Sequence, residues 1–427
     1  MTGPTTARAV LTANDRGGYA VPNGRVYPFQ WNWDSAFVAM GYALLDEDRA
    51  WTELDSLMRG QWRDGMVPHI IFHAPADGYY PGPDAWRTSH VPPTSGITQP
   101  PVAASAAWRV FGSAKDKELA RRRAAALLPR LDAWHRWWSD TRDQRELGIV
   151  CSVHPWESGR DNSPEWDSPL ESLVPTVHVA ALRQDNKRVD PSERPTDLFY
   201  DRVMTLVDTS ATMNWDQARI ARESAFRVCD LGIQCILARA EHDLALLADA
   251  LGDATVAEAA RGRAARLRLG TTLLQAPDGT YRSRDLVRDE LVDSVTSATF
   301  LPLYAGAVDE DGAALLAGLF DEWTRSVQYM VPSMDPRDPR FDPKRYWRGP
   351  VWLMMNWMIA QGFASYGFDS IADRIRTDAG TLLRLSGFSE YFDPRDGAPL
   401  GGRDFSWTAS VGLTWGLIGP DDPLPAA

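Results

Sequence analysis

Two loop segments concentrate carboxylic acids among aromatic residues, and a pair of carboxylic acids is enough for glycosidic hydrolysis without a metal or a nucleophilic triad. The first, HPWESGRDNSPEWD, brings Glu157, Asp161, Glu165 and Asp167 into one short stretch with Gly and Pro. Carboxylates this close repel one another, so one of them, once enclosed, holds its proton near neutrality. A protonated carboxyl group is what the leaving oxygen of a glycosidic bond requires. A calcium loop is the competing reading, but the alternating ligand positions of such a loop are missing. The second segment, FSEYFDPRDGAPLGGRDFSWTAS, carries Glu390, Asp393, Asp396 and Asp404 around a glycine-rich turn. Asp404 or Ser406 can cap a final helix there, and Glu390, following an apolar helical run, is equally readable as a surface acid at a helix end.

Two more segments offer binding surfaces rather than acids. YPFQWNWDSAF sets Trp31, Trp33 and Asp34 at the mouth of a helix. Asp34 can cap that helix; the same trio can also form a sugar subsite, with aromatic faces on C–H groups and a carboxylate on hydroxyls. In PKRYWRGPVWLMMNWM, Tyr346, Trp347 and Arg348 lie in a loop suited to ligand contact, Pro350 suits a first helical turn, and Met354, Met355 and Met358 belong to core packing.

Other chemistries lack their signatures. The histidines His69, His73, His90 and His154 form no zinc spacing, and neither a GxSxG elbow nor a phosphate-binding glycine loop occurs. A net charge of -12 opposes nucleic-acid binding. Cys151, Cys229 and Cys235 are read as buried free thiols, the latter two in an apolar helical stretch. No apolar window is long enough for a membrane span and the first residues lack the pattern of a secretory leader, so a cytoplasmic location is expected.

These loops must be positioned by helices. Apolar residues recur with a helical period over 35–45, 49–62, 101–111, 117–141, 170–183, 216–247, 256–274, 295–306, 309–324, 350–367, 370–386 and 406–417, about 12 helices. Strand-like alternation is confined to MVPHIIF and SVQYMV. Without a fixed repeat period, six hairpins closed into a toroid fit better than an open superhelix. The expectation is an all-α chain in one domain, residues 1–427, with long loops at one rim and excursions at 63–99 and 186–201. The loops 65–96 and 186–197 are expected to close over a ligand.

Taken in order, YPFQWNWDSAF, GQWRDGMVPHIIFH, SGITQPP, HPWESGRDNSP, RYWRGPVW and EYFDPRDGAPLGGRDFSWTA resemble bacterial members of glycoside hydrolase family 63, above all the compact glucosylglycerate and mannosylglycerate hydrolases. The resemblance implies an (α/α)6 barrel and hydrolysis with inversion, Asp161 as general acid and Glu390 as general base. It implies Tyr27, Trp31, Asp34, Gly159 and Trp352 around the sugar, and Tyr79, Gln99, Arg194, Tyr346 and Trp347 around glycerate. A guanidinium at Arg194 can pair bidentately with a carboxylate. Inversion leaves room for water, with the two carboxyl groups about 6.5–9.5 Å apart. The substrate implied first is glucosylglycerate, giving glucose and glycerate, with mannosylglycerate beside it; no metal or cofactor is needed, and a homodimer or homotetramer is compatible. The alternatives are an α-glucosidase of short neutral disaccharides and a noncatalytic carbohydrate-binding protein.

Overall fold

Half of the ring helices are buried over most of their residues and half on one stripe only, and this difference organises the computed structural model, which describes residues 5–75 and 78–425. Twelve helices matter for the architecture: α1 (Ala7–Asn14), α2 (Asn32–Tyr42), α3 (Glu47–Arg59), α4 (Ala103–Ser113), α5 (Lys117–Trp137), α6 (Leu231–Leu251), α7 (Ala254–Thr271), α8 (Leu301–Ala305), α9 (Glu310–Trp323), α10 (Leu353–Ser365), α11 (Asp369–Ser386) and α12 (Ser406–Thr414). Every residue of α2 is buried, as is every residue of α8. By contrast α11 buries Ile371, Ile375, Ala379, Leu382 and Leu383, the single stripe expected of a helix with one wet face.

The all-round apolar helices form an inner ring. Around it α2 packs on α4, α4 on α6, α6 on α8, α8 on α10, α10 on α12, and α12 returns to α2. The amphipathic helices lie outside: α1 on α12, α3 on α2, α5 on α4 and α6, α7 on α6, and α11 on α10. α9 joins them through Phe320, whose ring lies 5.6 Å from that of Phe363 in α10. This is the expected six-hairpin toroid.

Loop lengths then assign the two rims. Connections from an inner helix to the next outer one are short, at 43–46, 114–116, 252–253, 306–309 and 366–368. Connections from an outer to an inner helix are long, at 15–31, 60–102, 138–230, 272–300, 324–352 and 387–405. All long loops, and the N-terminal ends of all six inner helices, therefore share one rim, as expected.

Several local expectations give way to particular residues. The run 216–247 is not one helix: Gln217–Glu223 ends, Val228–Cys229 pairs as a strand with Arg284–Asp285, and Asp230 caps α6 by accepting the N–H groups of Gly232 and Ile233. Cys229 thus sits in a strand, although all three cysteines are free and buried. The run 170–183 stays helical only to Glu171, with Pro175 a few residues on. A helix at Asp197–Thr212, capped by Thr196, starts inside the polar stretch 186–201. The helix at Ala7–Asn14 also escaped the periodicity reading. MVPHIIF does contain a strand, Ile70–Ile71, paired with Gln30–Trp31, whereas SVQYMV contains none. Pro350 lies outside α10, because Val351 bridges Pro332 and Phe392 before the helix starts. Among the described residues no helix is long and apolar enough to cross a membrane.

Candidate active site

Side chains from five of the six long loops meet in one pocket at the loop-bearing rim. Tyr27, Trp31 and Asp34 line it from the first loop and the start of α2; His69, Tyr79 and Gln99 from the second; Trp156, Gly159, Asp161, Asp185, Arg194 and Tyr200 from the third; Tyr346 from the fifth; Glu390, Phe405 and Trp407 from the last and the start of α12. The space between these walls, with its open mouth, is about 810 Å³, suited to a small ligand.

The acidic loop sorts its carboxylates by their partners. Glu157 is buried against Arg142, at 2.8 Å, and accepts the N–H of Val153. Glu165 is buried against Arg160, Ser163 and Ser283. Asp167 pairs with Arg348 at 2.6 Å, outside the pocket. Asp161 alone of this cluster reaches the pocket, and its carboxylate has no side-chain hydrogen-bond partner among the described residues. Burial pushes it up, against the pull of Arg194 and with help from the charge of Glu390, to about 7. The flanking residues hold it in place: Arg160 is anchored on Asp230 at 2.6 Å, and Asn162 Oδ1 accepts the N–H of Trp347 at 2.9 Å. Gly159 is required beside it, since its φ is +66° and a Cβ would lie 2.4 Å from the Trp33 ring.

The C-terminal cluster divides in the same way. Asp393 is occupied by Arg395 at 2.7 Å, Asp396 caps its own turn by accepting the N–H of Ala398, and Asp404 is exposed. Glu390 enters the pocket because the hairpin pairing Tyr391 with Leu400 sets it opposite Gly401 and Gly402. Its Oε2 accepts the Gly402 N–H at 2.7 Å and its Oε1 accepts the Tyr27 hydroxyl at 3.0 Å. Burial raises its pKa, while Arg194, the Gly402 amide and Tyr27 oppose the rise. Tyr27 and Gly402 thus oppose the rise at Glu390, whereas Asp161 takes no hydrogen bond from another side chain and keeps only that of its own backbone N–H. Asp34, the third pocket carboxyl, is raised well above its ordinary value, chiefly by burial and next by Glu390. It does not cap α2; it stands in the first turn, and Trp31 is the capping residue without a side-chain bond.

At the other end of the pocket Arg194 is buried and largely committed. Its Nε donates to Asp185 at 3.0 Å, its Nη1 to Tyr27 Oη at 3.1 Å, and its guanidinium lies 4.2 Å over the Tyr346 ring. Asp185 also accepts from Arg183 at 2.9 Å and Tyr200 at 3.1 Å. Burial pushes Asp185 up, but the two arginines prevail and hold it at about 2. Gln99 accepts the Trp33 N–H at 3.2 Å through Oε1. Tyr79 packs edge-on against Trp31 and Phe29.

Ten of the twelve expected site residues thus line one pocket. Trp347 and Trp352 do not: they stack on each other at 3.9 Å behind Tyr346, Trp352 lies on Tyr391 at 4.5 Å, and Trp352 Nε1 donates to the Tyr346 carbonyl at 3.2 Å. They support the wall rather than form it. Arg348, expected in the ligand loop, is drawn outward by Asp167. The sequence reading missed Asp185, Tyr200, His69, Trp156, Phe405 and Trp407 as pocket residues. Asp185 had a signal: it stands among Arg183, Arg188 and Arg194 in a polar run. Among the described residues no group of three or more His, Cys, Asp or Glu is placed to hold a metal ion.

The comparisons with known proteins agree on a lineage. A family described as mannosylglycerate hydrolase MGH1-like glycoside hydrolase domain matches residues 27–408. The chain is 45% identical to mannosylglycerate hydrolase MGH1 of Selaginella moellendorffii over 96% of its own length and 84% of that protein's. It is 36% identical to the glucosylglycerate hydrolase of Mycolicibacterium hassiacum, covering 96% of each. The crystal structure of the GH63 mannosylglycerate hydrolase from Thermus thermophilus in complex with Tris and D-glycerate matches with a TM-score of 0.91 and 44% identity, over 96% of this chain and 98% of that one. The family match reaches from the first rim loop to the last inner helix, and the chain therefore belongs to glycoside hydrolase family 63, among its MGH1-like hydrolases.

Proposed function

We propose that this enzyme hydrolyses an α-hexosyl glycerate with inversion at the anomeric carbon. Asp161 protonates the bridging oxygen as the bond to C1 breaks, and Glu390 takes a proton from the water that attacks the opposite face. The observation that carries this reading is the contrast between the two carboxyl groups. One has no side-chain hydrogen-bond partner and is raised to about 7, and the other accepts hydrogen bonds from Tyr27 and Gly402 in the same pocket.

Tyr27, Trp31, Asp34 and Gly159 then surround the sugar, with Trp352 acting through the wall behind Tyr346. Arg194, Tyr79, Gln99 and Tyr346 surround the glycerate, with Trp347 again behind. Arg194 spends Nε on Asp185 and Nη1 on Tyr27, so it offers the glycerate carboxylate one Nη2 edge and its charge rather than a free bidentate fork. The greater identity to a mannosylglycerate hydrolase, 45% against 36% for a glucosylglycerate hydrolase, puts mannose ahead of glucose.

The ring and its loops act as one catalytic domain. Buried free thiols suit a reducing, cytoplasmic compartment, and the acidic surface does not suit nucleic acid. The test is kcat/KM for mannosylglycerate, glucosylglycerate and a neutral disaccharide. A higher value for either glycerate glycoside supports the reading; a higher value for the disaccharide overturns it.

A further inference from the structure

One side chain fastens the loop that carries Arg194 to the turn that holds Glu390. Glu193 Oε2 accepts the Gly401 N–H at 2.8 Å, and the next amide, Gly402 N–H, goes to Glu390 Oε2 at 2.7 Å. Two successive amides therefore serve two loops, one gripping the carboxylate in the pocket and the other gripping the neighbour of Arg194. Tyr391 Oη adds a second link by donating to the Glu193 carbonyl at 3.4 Å. The turn has little freedom to shift. At Gly401 φ is +70°, and a Cβ there would lie 2.5 Å from Glu390 Oε2 and 2.4 Å from the Tyr391 ring.

The other ties of this loop are of a different kind. Arg188 donates to the carbonyls of Arg25 and Gly78 at 2.7 and 2.9 Å, both in exposed surroundings. Asp185 travels with the loop and orients Arg194 from within it. Tyr27 Oη also joins Arg194 to Glu390 by hydrogen bonds.

We propose that Glu193 is a positioning residue for the hydrolysis: its carboxylate clamps the Arg194 loop onto the turn over Glu390 and so fixes the distance between the aglycone and the attacking water. The inference rests on the reading of Glu390 as base and Arg194 as aglycone contact. It predicts a binding effect carried by the hydrogen bond and a separate effect carried by the charge. The charged and titratable groups facing Glu390 are Tyr27, Tyr346, Tyr391, Arg194, Asp34, Asp161 and Glu193. Those facing Glu193 are Asp190, Arg194, Lys344, Glu390 and Tyr391. A negative charge at position 193 opposes ionisation of Glu390. Glu193→Gln keeps an oxygen for the Gly401 N–H but loses the charge, whereas Glu193→Ala loses both.

The experiment measures kcat and KM across pH for mannosylglycerate and glucosylglycerate with the wild type, Glu193→Gln, Glu193→Ala and, as control, Glu390→Gln. Loss of one charge-assisted bond should raise KM of Glu193→Ala about tenfold with kcat changed less than about threefold, while Glu193→Gln stays within about twofold of wild-type KM. Both Glu193 variants should move the acid limb of kcat/KM to lower pH. A wild-type KM in Glu193→Ala, or a Glu193→Gln variant as impaired as Glu193→Ala, overturns the clamp. Should Glu193→Ala not fold, Glu193→Asp, which keeps the charge but draws its oxygens back from the Gly401 N–H, decides: a raised KM supports the clamp and a wild-type KM overturns it. A wild type that cleaves neither glycoside, or a fully active Glu390→Gln, instead overturns the underlying reading, and it does so without reference to Glu193.

Discussion

The hydroxyl of Tyr27 donates to Oε1 of Glu390 at 3.0 Å. That hydroxyl oxygen in turn accepts from Nη1 of Arg194 at 3.1 Å, so the aglycone arginine and the carboxylate base are joined through one atom. Removing it with Tyr27→Phe takes a donor from Glu390, and a carboxylate that loses a donor is easier to protonate. The acid limb of kcat/KM should move to higher pH, with a tenfold to hundredfold loss, roughly the effect of one to two buried hydrogen bonds. An unmoved acid limb would detach Tyr27 from the base.

Asp161→Asn and Glu390→Gln should each lower kcat by about a thousandfold, the usual scale for removing a general acid or base. Near-normal turnover in either variant removes that residue from its role.

The stability of the same variants carries a sign. Burial raises the pKa of Asp161 from 3.8 to about 7, so the folded state holds that proton more tightly than the unfolded chain does. Native stability contributed by this group is present below pH 3.8 and is lost as pH rises toward 7. Asp161→Asn escapes that loss, and its thermal midpoint at pH 8 should equal or exceed that of the wild type. A midpoint well below the wild type at pH 8 would show that ionised Asp161 is stabilised by contacts this account omits.

The pH profile of the wild type should be a bell. Its alkaline limb belongs to Asp161 near 7, where the acid loses its proton, and its acid limb to Glu390. Arg194→Ala removes a charge that favours ionisation of both groups, so both limbs should move to higher pH while KM for a glycerate glycoside rises. Limbs that stay in place would place Arg194 too far from both carboxyl groups to influence them.

The sequence made these acids visible because each lies in a loop where Pro, Gly and aromatic residues crowd a polar stretch. Residue chemistry alone did not tell Asp161 from Glu157 or Glu165, and only the family resemblance singled it out, because that choice depends on Arg142 and Arg160, buried partners supplied by the fold. Trp347 and Trp352 carry the same composition signal as Tyr346, but only the stack at 3.9 Å shows that they back the wall. The apolar period of 216–247 concealed a strand and a cap at Asp230, since periodicity records burial and not chain direction.

That distinction is measurable. Trp352 is 1% exposed, so Trp352→Ala should destabilise the fold by about 3–5 kcal/mol in denaturant unfolding, as for other large core truncations. A neutral effect on stability with a large rise in KM would return Trp352 to the pocket wall.

The most direct test of the central claim is proton NMR of mannosylglycerate or glucosylglycerate during the first turnovers, read before mutarotation. The β-anomer of the free hexose should appear first from the α-glycoside, because water activated by Glu390 attacks opposite to the bond that Asp161 protonates. First release of the α-anomer would mean retention and would contradict the assignment of Asp161 and Glu390 as an inverting pair.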